Sequence, residues 1–193
     1  MRLVYQQLSV GHIWSLALVL TLAVASLPPT AVLAQDAAVE ESVTTQSSVA
    51  PTSATTQELD AYWDELSRTV GMGDFEGYKS LYHADAIMVN EISRSTYPIG
   101  QAFAGWKAGF DDTKAGDMDA EVTFRFSNRL IDGTTAFETG IFRYVAHPTG
   151  EEPSVSLIHF DALTIKQNGS WVMMMERQIS VATQQEWEAL AVE

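Results

Sequence analysis

Residues 159–171 read HFDALTIKQNGSW, and they set the architecture because two extended runs meet there at an Asn168-Gly169 turn. Both central residues of such a tight hairpin turn need a positive φ, which Asn and Gly adopt readily. The segment 120–181 contains four runs rich in β-branched and aromatic residues, separated by further turn signals at Asp132-Gly133 and at 148–150. The pattern predicts four long strands, joined as consecutive hairpins of a curved antiparallel sheet.

Upstream of these strands, apolar residues recur at helical spacing rather than at every second position. A capping-box pattern, Thr55 with Glu58, predicts a first helix that ends near residues 71–73. Asp74 is a suitable N-cap for a second helix, and the apolar spacing over residues 102–110 suggests a third.

Two shorter elements complete the predicted order. Residues 86–89 suit a short strand, and Thr183 with Glu186 repeats the capping-box pattern for a closing helix. Helices first and a strand meander afterwards predict an α+β fold, with the N-terminal helices packed on one face of the sheet. Met173 and Met174 place apolar groups on both sides of the last strand, which suggests that the other face meets another subunit.

The first 34 residues have the layout of a secretory signal peptide: a basic N-terminus, an apolar run over residues 13–27 and a small-residue site ending at Ala34. The apolar run is shorter than the roughly 20 residues that span a bilayer as a helix. We therefore expect cleavage after Ala34 and an exported protein, periplasmic or secreted. Residues 35–55, which contain no aromatic residue, predict a flexible linker, and residues 56–193 predict a single domain.

The formal net charge of the sequence is −14, and the sequence contains no cysteine. Like charge repels nucleic acid and anionic membrane surfaces, so we expect neither as a partner. The lack of cysteine excludes disulfides and thiolate metal sites. His83, His147 and His159 fall on separate elements rather than at metal-ligand spacing. Since no phosphate-binding or nucleophile motif is present either, we expect no metal and no cofactor.

Three motifs resemble the nuclear transport factor 2-like superfamily, in particular its SnoaL-like and ketosteroid-isomerase-like branches. They are GDFEG at 73–77 with ADA at 84–86, the hairpin at 159–171, and AFETG at 136–140. The resemblance implies a cone-shaped, cystatin-like α+β barrel whose sheet carries the helices on its concave face and surrounds one cup. It also implies a homodimer. It leaves the activity open, because the superfamily contains enzymes, ligand binders and assembly domains.

His159 and Asp161 share one strand face with Leu163 and Ile165 by two-residue alternation. If the two apolar residues face the core, Asp161 faces the cup, where apolar surroundings disfavour the ionised carboxyl group. The resemblance places Asp161 at the position of the protonated aspartate in the oxyanion hole of steroid isomerases. Asp161, with help from His159, is therefore the candidate catalytic acid. The alternative is a surface Asp beside a surface His at a strand end.

The other two positions of the isomerase machinery do not match. The resemblance places Asn90 at the position of the general-base aspartate and Leu66 at that of the first-helix tyrosine. An amide cannot abstract a proton, and Glu91 reaches that position only if the strand register shifts by one residue. These differences argue against steroid isomerisation and leave a pocket with a single matched acid.

The remaining candidates line the cup. Aromatic walls suit flat or apolar ligands, although core packing is an alternative role for each of Tyr62, Trp63, Tyr82 and Trp106. In the last strand, either Met174, Glu176 and Gln178 point inward or Met173, Met175 and Arg177 do, and the isomerase register favours the first set. Met174 and Glu176 therefore join Asn90 and the aromatic residues as candidate ligand-binding residues.

The preferred function is binding of a small, partly apolar molecule in the cup of an exported, homodimeric domain. The first alternative is an isomerase, cyclase or dehydratase that works by acid–base chemistry through Asp161. The second alternative is an assembly or interaction module in which the sheet face carries the function. Because proteins of all three classes share this fold, the fold alone does not determine which function applies.

Overall fold

The computed structural model describes residues 53–190, and the predicted signal peptide and most of the predicted linker lie outside this range. Within it the order is α1 (Ser53–Gly71), α2 (Phe75–Ser80), β1 (Tyr82–Asn90), β2 (Ser95–Pro98), α3 (Ile99–Ala115), β3 (Met118–Ile131), β4 (Thr135–Pro148), β5 (Ser154–Gln167), β6 (Ser170–Val181) and α4 (Gln184–Ala189). The predicted helices and the four long strands are confirmed. The short strand β2 has no counterpart in the sequence prediction.

The six strands of this range form one curved sheet in the order β2-β1-β6-β5-β4-β3. Neighbouring strands are antiparallel except β1 and β6, which run parallel. Helices α1, α2 and α3 cover the concave face, where α1 packs on β3 and β6 and α3 packs on β1 and β3. The predicted α+β fold, with N-terminal helices on the concave face, is confirmed.

Local sequence signals determine several of the element boundaries. Asn168 (φ 53°) and Gly169 (φ 86°) both adopt positive φ in the β5–β6 turn, as the hairpin pattern predicts. Asp74 caps α2 by accepting a hydrogen bond from a backbone N–H three residues later, at 3.0 Å. Thr183 and Glu186 form the predicted capping box of α4.

Two predicted boundaries differ from the structure. Helix α1 begins at Ser53, so Thr55 lies inside the helix rather than at its N-cap, and the folded domain begins within the segment predicted as linker. Strand β1 covers Tyr82–Asn90 rather than residues 86–89. It is longer because it pairs with β2 on one side and with β6 on the other, and the local sequence does not reveal these pairings.

The main core lies between the concave face and the three N-terminal helices. Trp63 of α1 is 4 % exposed. Its ring lies 4.6, 5.3 and 5.8 Å from the rings of Phe124, Phe126 and Phe160 in the sheet. Aromatic contacts of this kind contribute strongly to core stability, so Trp63 is one of the buried residues that anchor α1 to the sheet.

The outer face of the sheet, opposite those helices, carries a second and smaller apolar cluster. Trp187 of α4 packs there with Ile141, Leu157 and Ala182. Arg125 of β3 donates from Nη1 to the Trp187 carbonyl at 2.7 Å, and its guanidinium lies 4.1 Å from the centre of the Trp187 ring. Helix α4 therefore covers part of the outer face.

Three residues of the AFETG motif have structural roles. Glu138 is fully buried on the concave face and accepts a hydrogen bond from Trp63 Nε1 at 3.0 Å. Thr139 Oγ1 donates to Asp161 on the outer face at 2.8 Å. Gly140 lies against the main chain of β3 beside a bulge, where a Cβ would collide with backbone atoms. The motif therefore stabilises the sheet rather than supplying a catalyst.

An apolar row crosses the outer face over five neighbouring strands. Cross-strand register aligns Leu130, Phe137, Leu163, Met175 and Ile87 in that order. Leu130 is 60 % exposed and Ile87 is 39 % exposed, and the three side chains between them are partly exposed. The predicted occurrence of apolar residues on both sheet faces is confirmed. We refer to these five side chains as the outer row.

Candidate functional site

A chain of buried polar side chains crosses the concave face at β1 and β6. Tyr82 Oη donates to Glu176 Oε2 at 2.7 Å, and Gln178 Nε2 donates to Glu176 Oε1 at 2.8 Å. Tyr78 of α2 extends the chain through a hydroxyl–hydroxyl contact with Tyr82 at 2.9 Å, and Asn90 Nδ2 donates to Gln178 Oε1 at 3.0 Å. Side chains from a helix and two strands thus converge on one carboxyl group.

Glu176, at the centre of this chain, is 9 % exposed. Burial raises the pKa of Glu176 above its ordinary value, and the hydrogen bonds from Gln178 and Tyr82, which favour the carboxylate, only partly offset the loss of water. Burial also raises the pKa of Tyr82 and of Tyr78, and the charge of Glu176 adds to both shifts. The site therefore combines a carboxyl group that holds its proton tightly with two phenolic hydroxyls.

Glu176→Gln should make the protein more stable relative to wild type as the pH rises. Below about pH 4.3, the ordinary value for a glutamic acid, residue 176 is largely neutral in both the folded and the unfolded wild type. Above it the unfolded chain ionises while the folded protein keeps its proton up to the raised pKa, so the wild type loses stability that the variant keeps. The difference should reach about 1.4 kcal/mol for each unit by which the folded pKa is raised. Urea unfolding from about pH 4 to pH 8 measures it.

Glu152→Gln is the matched control, because Glu152 is exposed in the β4–β5 turn. It removes the same formal charge and should leave the pH dependence of stability almost unchanged. If Glu176→Gln instead became less stable relative to wild type as the pH rises, this result would contradict the raised pKa of Glu176.

A β-bulge in β6 brings Glu176 to the concave face. Met173 and Met175 pair with consecutive residues of β5, so Met174 is the extra residue of the bulge. The bulge interrupts the two-residue alternation, which lets both Met173 and Glu176 face the core side. Neither inward set predicted from strict alternation is therefore correct as a whole. Glu176 and Gln178 point inward as expected, but Met174 lies at the bulge and Met173 is the buried methionine.

Tyr62 and Trp63, both predicted to line the cup, pack between α1 and the sheet. Tyr62 Oη donates to the Leu81 carbonyl at 3.1 Å, and Trp63 Nε1 donates to Glu138 at 3.0 Å. Their side chains are 5 % and 4 % exposed. Because the protein itself satisfies their polar atoms, the core-packing alternative fits both residues better.

Tyr82 and Trp106 lie beside the chain of polar groups. The ring of Tyr82 is 5.3 Å from that of Phe103 in α3, and Phe103 is 6.2 Å from Trp106. Trp106 also meets the ring of Tyr78 edge-on at 5.9 Å. Phe103 and Trp106 are half-buried, so rings with accessible surface pack against Tyr82 and Tyr78. Tyr82 in turn donates to the Glu176 carboxyl group. We call the following residues the cup site: Tyr78, Tyr82, Asn90, Phe103, Trp106, Glu176 and Gln178.

Asp161 lies on the outer face of the sheet, so the prediction that it faces the cup is wrong. Its neighbours along β5 fill the main core instead. Asp161 accepts a hydrogen bond from Thr139 Oγ1 at 2.8 Å and pairs with Arg177 Nη1 at 2.8 Å. The inference failed because Leu163, whose apolar side chain suggested an inward face, belongs to the outer row.

His159 shares the outer face with Asp161 and is likewise not part of the cup. Its Nε2 lies 3.5 Å from Glu186 Oε1 of α4. A groove of about 470 Å³ opens beside it, bordered by Ile141, Ile179 and Leu190 among other residues. His159 therefore contributes to the contact between α4 and the sheet, away from Glu176.

Tyr78, Phe103 and Gln178 belong to the cup site but are not among the site residues predicted from the sequence. Tyr78 lies near the end of α2, only four residues before Tyr82 at the start of β1, and this short separation keeps the two side chains close. Gln178 follows Glu176 by two positions and therefore shares its strand face. Both signals are present in the sequence, but they become decisive only once Glu176 is known to face inward.

Residues 53–190 contain neither a metal-ligand cluster nor a membrane-spanning helix. No group of three or more His, Cys, Asp or Glu residues in this range is placed to hold a metal ion. No helix of the same range is long and apolar enough to cross a membrane.

Solved structures with this architecture include proteins described as nuclear transport factor 2-like. An NTF2-like protein of unknown function from Shewanella oneidensis MR-1 aligns with a TM-score of 0.50 and 14 % identity, over 65 % of this chain and 98 % of that chain. A domain of unknown function with a cystatin-like fold from Nostoc punctiforme PCC 73102 aligns with a TM-score of 0.50 and 15 % identity, over 72 % of this chain and 85 % of that chain.

The beta subunit of benzoate 1,2-dioxygenase from Burkholderia mallei ATCC 23344 aligns with a TM-score of 0.53 and 13 % identity, over 65 % of this chain and 89 % of that chain. No protein-family model matches the sequence, and no curated protein matches it. At these identities the likeness establishes the fold. The domain has the nuclear transport factor 2-like, cystatin-like α+β fold, as the sequence motifs predict.

Proposed function

We propose that this nuclear transport factor 2-like domain binds a small, partly apolar molecule in its cup. Glu176 and Tyr82 contact the polar part of the ligand, and Phe103 and Trp106 contact its apolar part. The observation that carries the proposal is the buried carboxyl group of Glu176, whose hydrogen-bond donor Tyr82 packs against the half-buried ring of Phe103. Ligand sites combine apolar walls with a few placed polar groups, and a carboxyl group with a perturbed pKa at such a place is typical of functional sites.

Native mass spectrometry of the protein purified from its own periplasm tests this proposal. We expect a non-covalent adduct that adds to the polypeptide mass and is lost under denaturing conditions. Glu176→Gln should lower the fraction of protein that carries the adduct, whereas the exposed control Glu152→Gln should not. A wild-type protein that carries no adduct and binds no member of a small-molecule library would contradict the proposal.

Acid–base catalysis is a second candidate function for the cup site, and it depends on Glu176 rather than on Asp161. The raised pKa of Glu176 favours it, because a carboxyl group whose pKa lies closer to neutral pH is a more effective proton donor there. An isomerase, cyclase or dehydratase of this kind would lose turnover in Glu176→Gln while keeping much of its substrate affinity. A pure binding protein would lose affinity and show no turnover.

We further propose that the protein is a homodimer through the outer row. The row presents aligned apolar side chains on the face that the N-terminal helices leave uncovered. The commonest soluble oligomers are symmetric dimers, in which a surface patch pairs with the same patch of a second copy. The benzoate dioxygenase beta subunit, which has this fold, is a component of a larger assembly, and this supports the use of the fold in assembly here too.

Leu163→Glu should convert the dimer to a monomer that keeps its fold. Leu163 lies at the middle of the outer row, and a carboxylate buried there would lack a counter-charge in the interface. Sedimentation velocity at micromolar concentration should give twice the mature mass for wild type and the single mass for the variant. Ile92→Glu, at an exposed apolar position outside the row (48 % exposed), should remain dimeric. A monomeric wild type would remove the proposal.

The proposed location is outside the cytoplasm, in the periplasm or the medium. The support is the apolar N-terminal run and the small-residue site that ends at Ala34. N-terminal sequencing of the exported protein should begin at Gln35, whereas an intact Met1 in the membrane fraction would indicate an uncleaved anchor.

A further inference from the structure

Three acidic side chains are buried within residues 53–190, and they differ in their partners. Glu138 pairs with Arg129 at 2.7 Å, and Asp161 pairs with Arg177 at 2.8 Å. Glu176 receives hydrogen bonds from Tyr82 and Gln178, which are both neutral. Among the three buried acids in the described part of the chain, Glu176 is therefore the one that lacks a cationic partner.

The groups that face Glu176 from the surrounding elements supply no positive charge. They are the phenols of Tyr62, Tyr78 and Tyr82 and the side-chain amide of Gln178. A buried carboxylate without a counter-charge is costly, and neutral donors compensate only part of the lost hydration. In the free protein this cost raises the pKa of Glu176 and so favours its protonated form. A bound cation would offset the same cost, because it would supply the missing counter-charge to the carboxylate.

The aromatic residues beside Glu176 favour a cation over a neutral ligand. Tyr78, Tyr82, Phe103 and Trp106 form a continuous set of ring contacts, with centroid separations between 5.3 and 6.3 Å. The face of an aromatic ring attracts a cation, most strongly where water is excluded. The formal net charge of −14 adds a long-range attraction for cations and repels anions.

We propose that the ligand of the cup site is a small organic cation, a protonated amine with a flat or apolar body, whose ammonium group pairs with the Glu176 carboxylate. Tyr82 and Gln178 keep the carboxylate oriented, and Phe103 and Trp106 contact the carbon skeleton. The proposal rests on the proposed function that the cup binds a small molecule, and it specifies the chemical class of that molecule.

Cation binding at Glu176 has a characteristic pH dependence. The cation takes the place of the proton, so binding releases a proton wherever free Glu176 is protonated. Affinity should fall about tenfold for each pH unit below the raised pKa of Glu176 and should level off above it. A neutral ligand that accepts a hydrogen bond from protonated Glu176 would show the opposite slope.

Benzylamine and benzyl alcohol are suitable probes, because they have nearly the same shape and differ in charge. Benzylamine stays protonated from about pH 5 to pH 8, as alkylamines do. Binding is followed by NMR titration of the Trp106 indole N–H and the Gln178 side-chain amide, which locates the probe at the cup site. We expect a dissociation constant of about 1 mM for benzylamine at pH 8, at least tenfold weaker binding of benzyl alcohol, and benzylamine affinity that falls with pH.

Glu176→Gln should weaken benzylamine binding at least tenfold and remove its pH dependence. The exposed control Glu152→Gln should bind benzylamine like wild type. A loss seen only in Glu176→Gln then shows a contact at Glu176 rather than attraction by the overall negative charge. The pH dependence of the wild type needs no variant and stays informative if Glu176→Gln fails to fold.

Stronger binding of benzyl alcohol than of benzylamine, or an affinity for benzylamine that rises as the pH falls, would overturn the cation assignment while leaving a ligand-binding cup in place. Failure of both probes to shift the cup-site signals would also overturn it. If an adduct is then found by native mass spectrometry, the proposed function survives and the ligand belongs to another class.

Discussion

Arg129→Met should destabilise the domain by about 3–5 kcal/mol at neutral pH. Arg129 Nε donates to Glu138 Oε1 at 2.7 Å, and its Nη1 donates to Asp60 at 2.6 Å. Glu138 is fully buried, and burial raises the pKa of Glu138 even though Arg129 opposes the shift. Loss of the guanidinium leaves this carboxyl group with a hydrogen bond from Trp63 and no counter-charge. Urea unfolding at neutral pH measures the loss.

Two further variants show whether the buried charge is the cause. The double variant Arg129→Met with Glu138→Leu should recover most of the loss, because apolar replacements of a buried ion pair are often neutral. Arg68→Met, which breaks half-exposed pairs with Glu65 and Asp74, should cost far less. The loss in Arg129→Met should also shrink as the pH falls, since Glu138 then takes up a proton. Equal losses for Arg129→Met and Arg68→Met would contradict this anchoring role.

Trp63→Ala should cost about 3–5 kcal/mol, the usual range for a large aromatic residue removed from a core. The substitution deletes the ring contacts with Phe124, Phe126 and Phe160 and the hydrogen bond to Glu138. A fall in the thermal midpoint, with cooperativity retained, is the expected observation.

Two substitutions separate the contributions of packing and hydrogen bonding at this position. Trp63→Phe keeps most of the packing and removes the indole N–H, so it should lose part of the stability that Trp63→Ala loses. Trp106→Ala, at a half-buried position in α3, should cost less than Trp63→Ala. A larger loss at Trp106 than at Trp63 would contradict the assignment of Trp63 to the core and Trp106 to the cup site.

The elements of this fold were predictable where a local interaction specifies them. The Asn168-Gly169 turn, the Asp74 cap and the capping box at Thr183 each depend on residues close in sequence, and each is confirmed. The start of β1 pairs with β6, which is far away in sequence, whereas β2 is a four-residue strand that pairs with β1 across a short turn without a strong turn signal. Local patterns therefore missed them.

The site was less predictable than the fold because strict alternation assigned the strand faces. Alternation placed Asp161 inward on the strength of Leu163, yet this strand has apolar residues on both faces, so an apolar side chain does not identify the inner one. In β6 the bulge at Met174 changes the face of the following residues up to Gln178, where a second irregularity begins. A sequence without alignment does not show where such an extra residue falls, so Glu176 remained one of two alternatives.

The most direct test of a functional cup organised around Glu176 is carbon-detected NMR of the side-chain carboxyl groups. The spectrum is recorded with the co-purified ligand bound and again after its removal. We expect a clear change in the Glu176 carboxyl signal and almost none in that of Asp161, which is held by Thr139 and Arg177 on the outer face. A ligand-dependent change at Asp161 with Glu176 unaffected would contradict it.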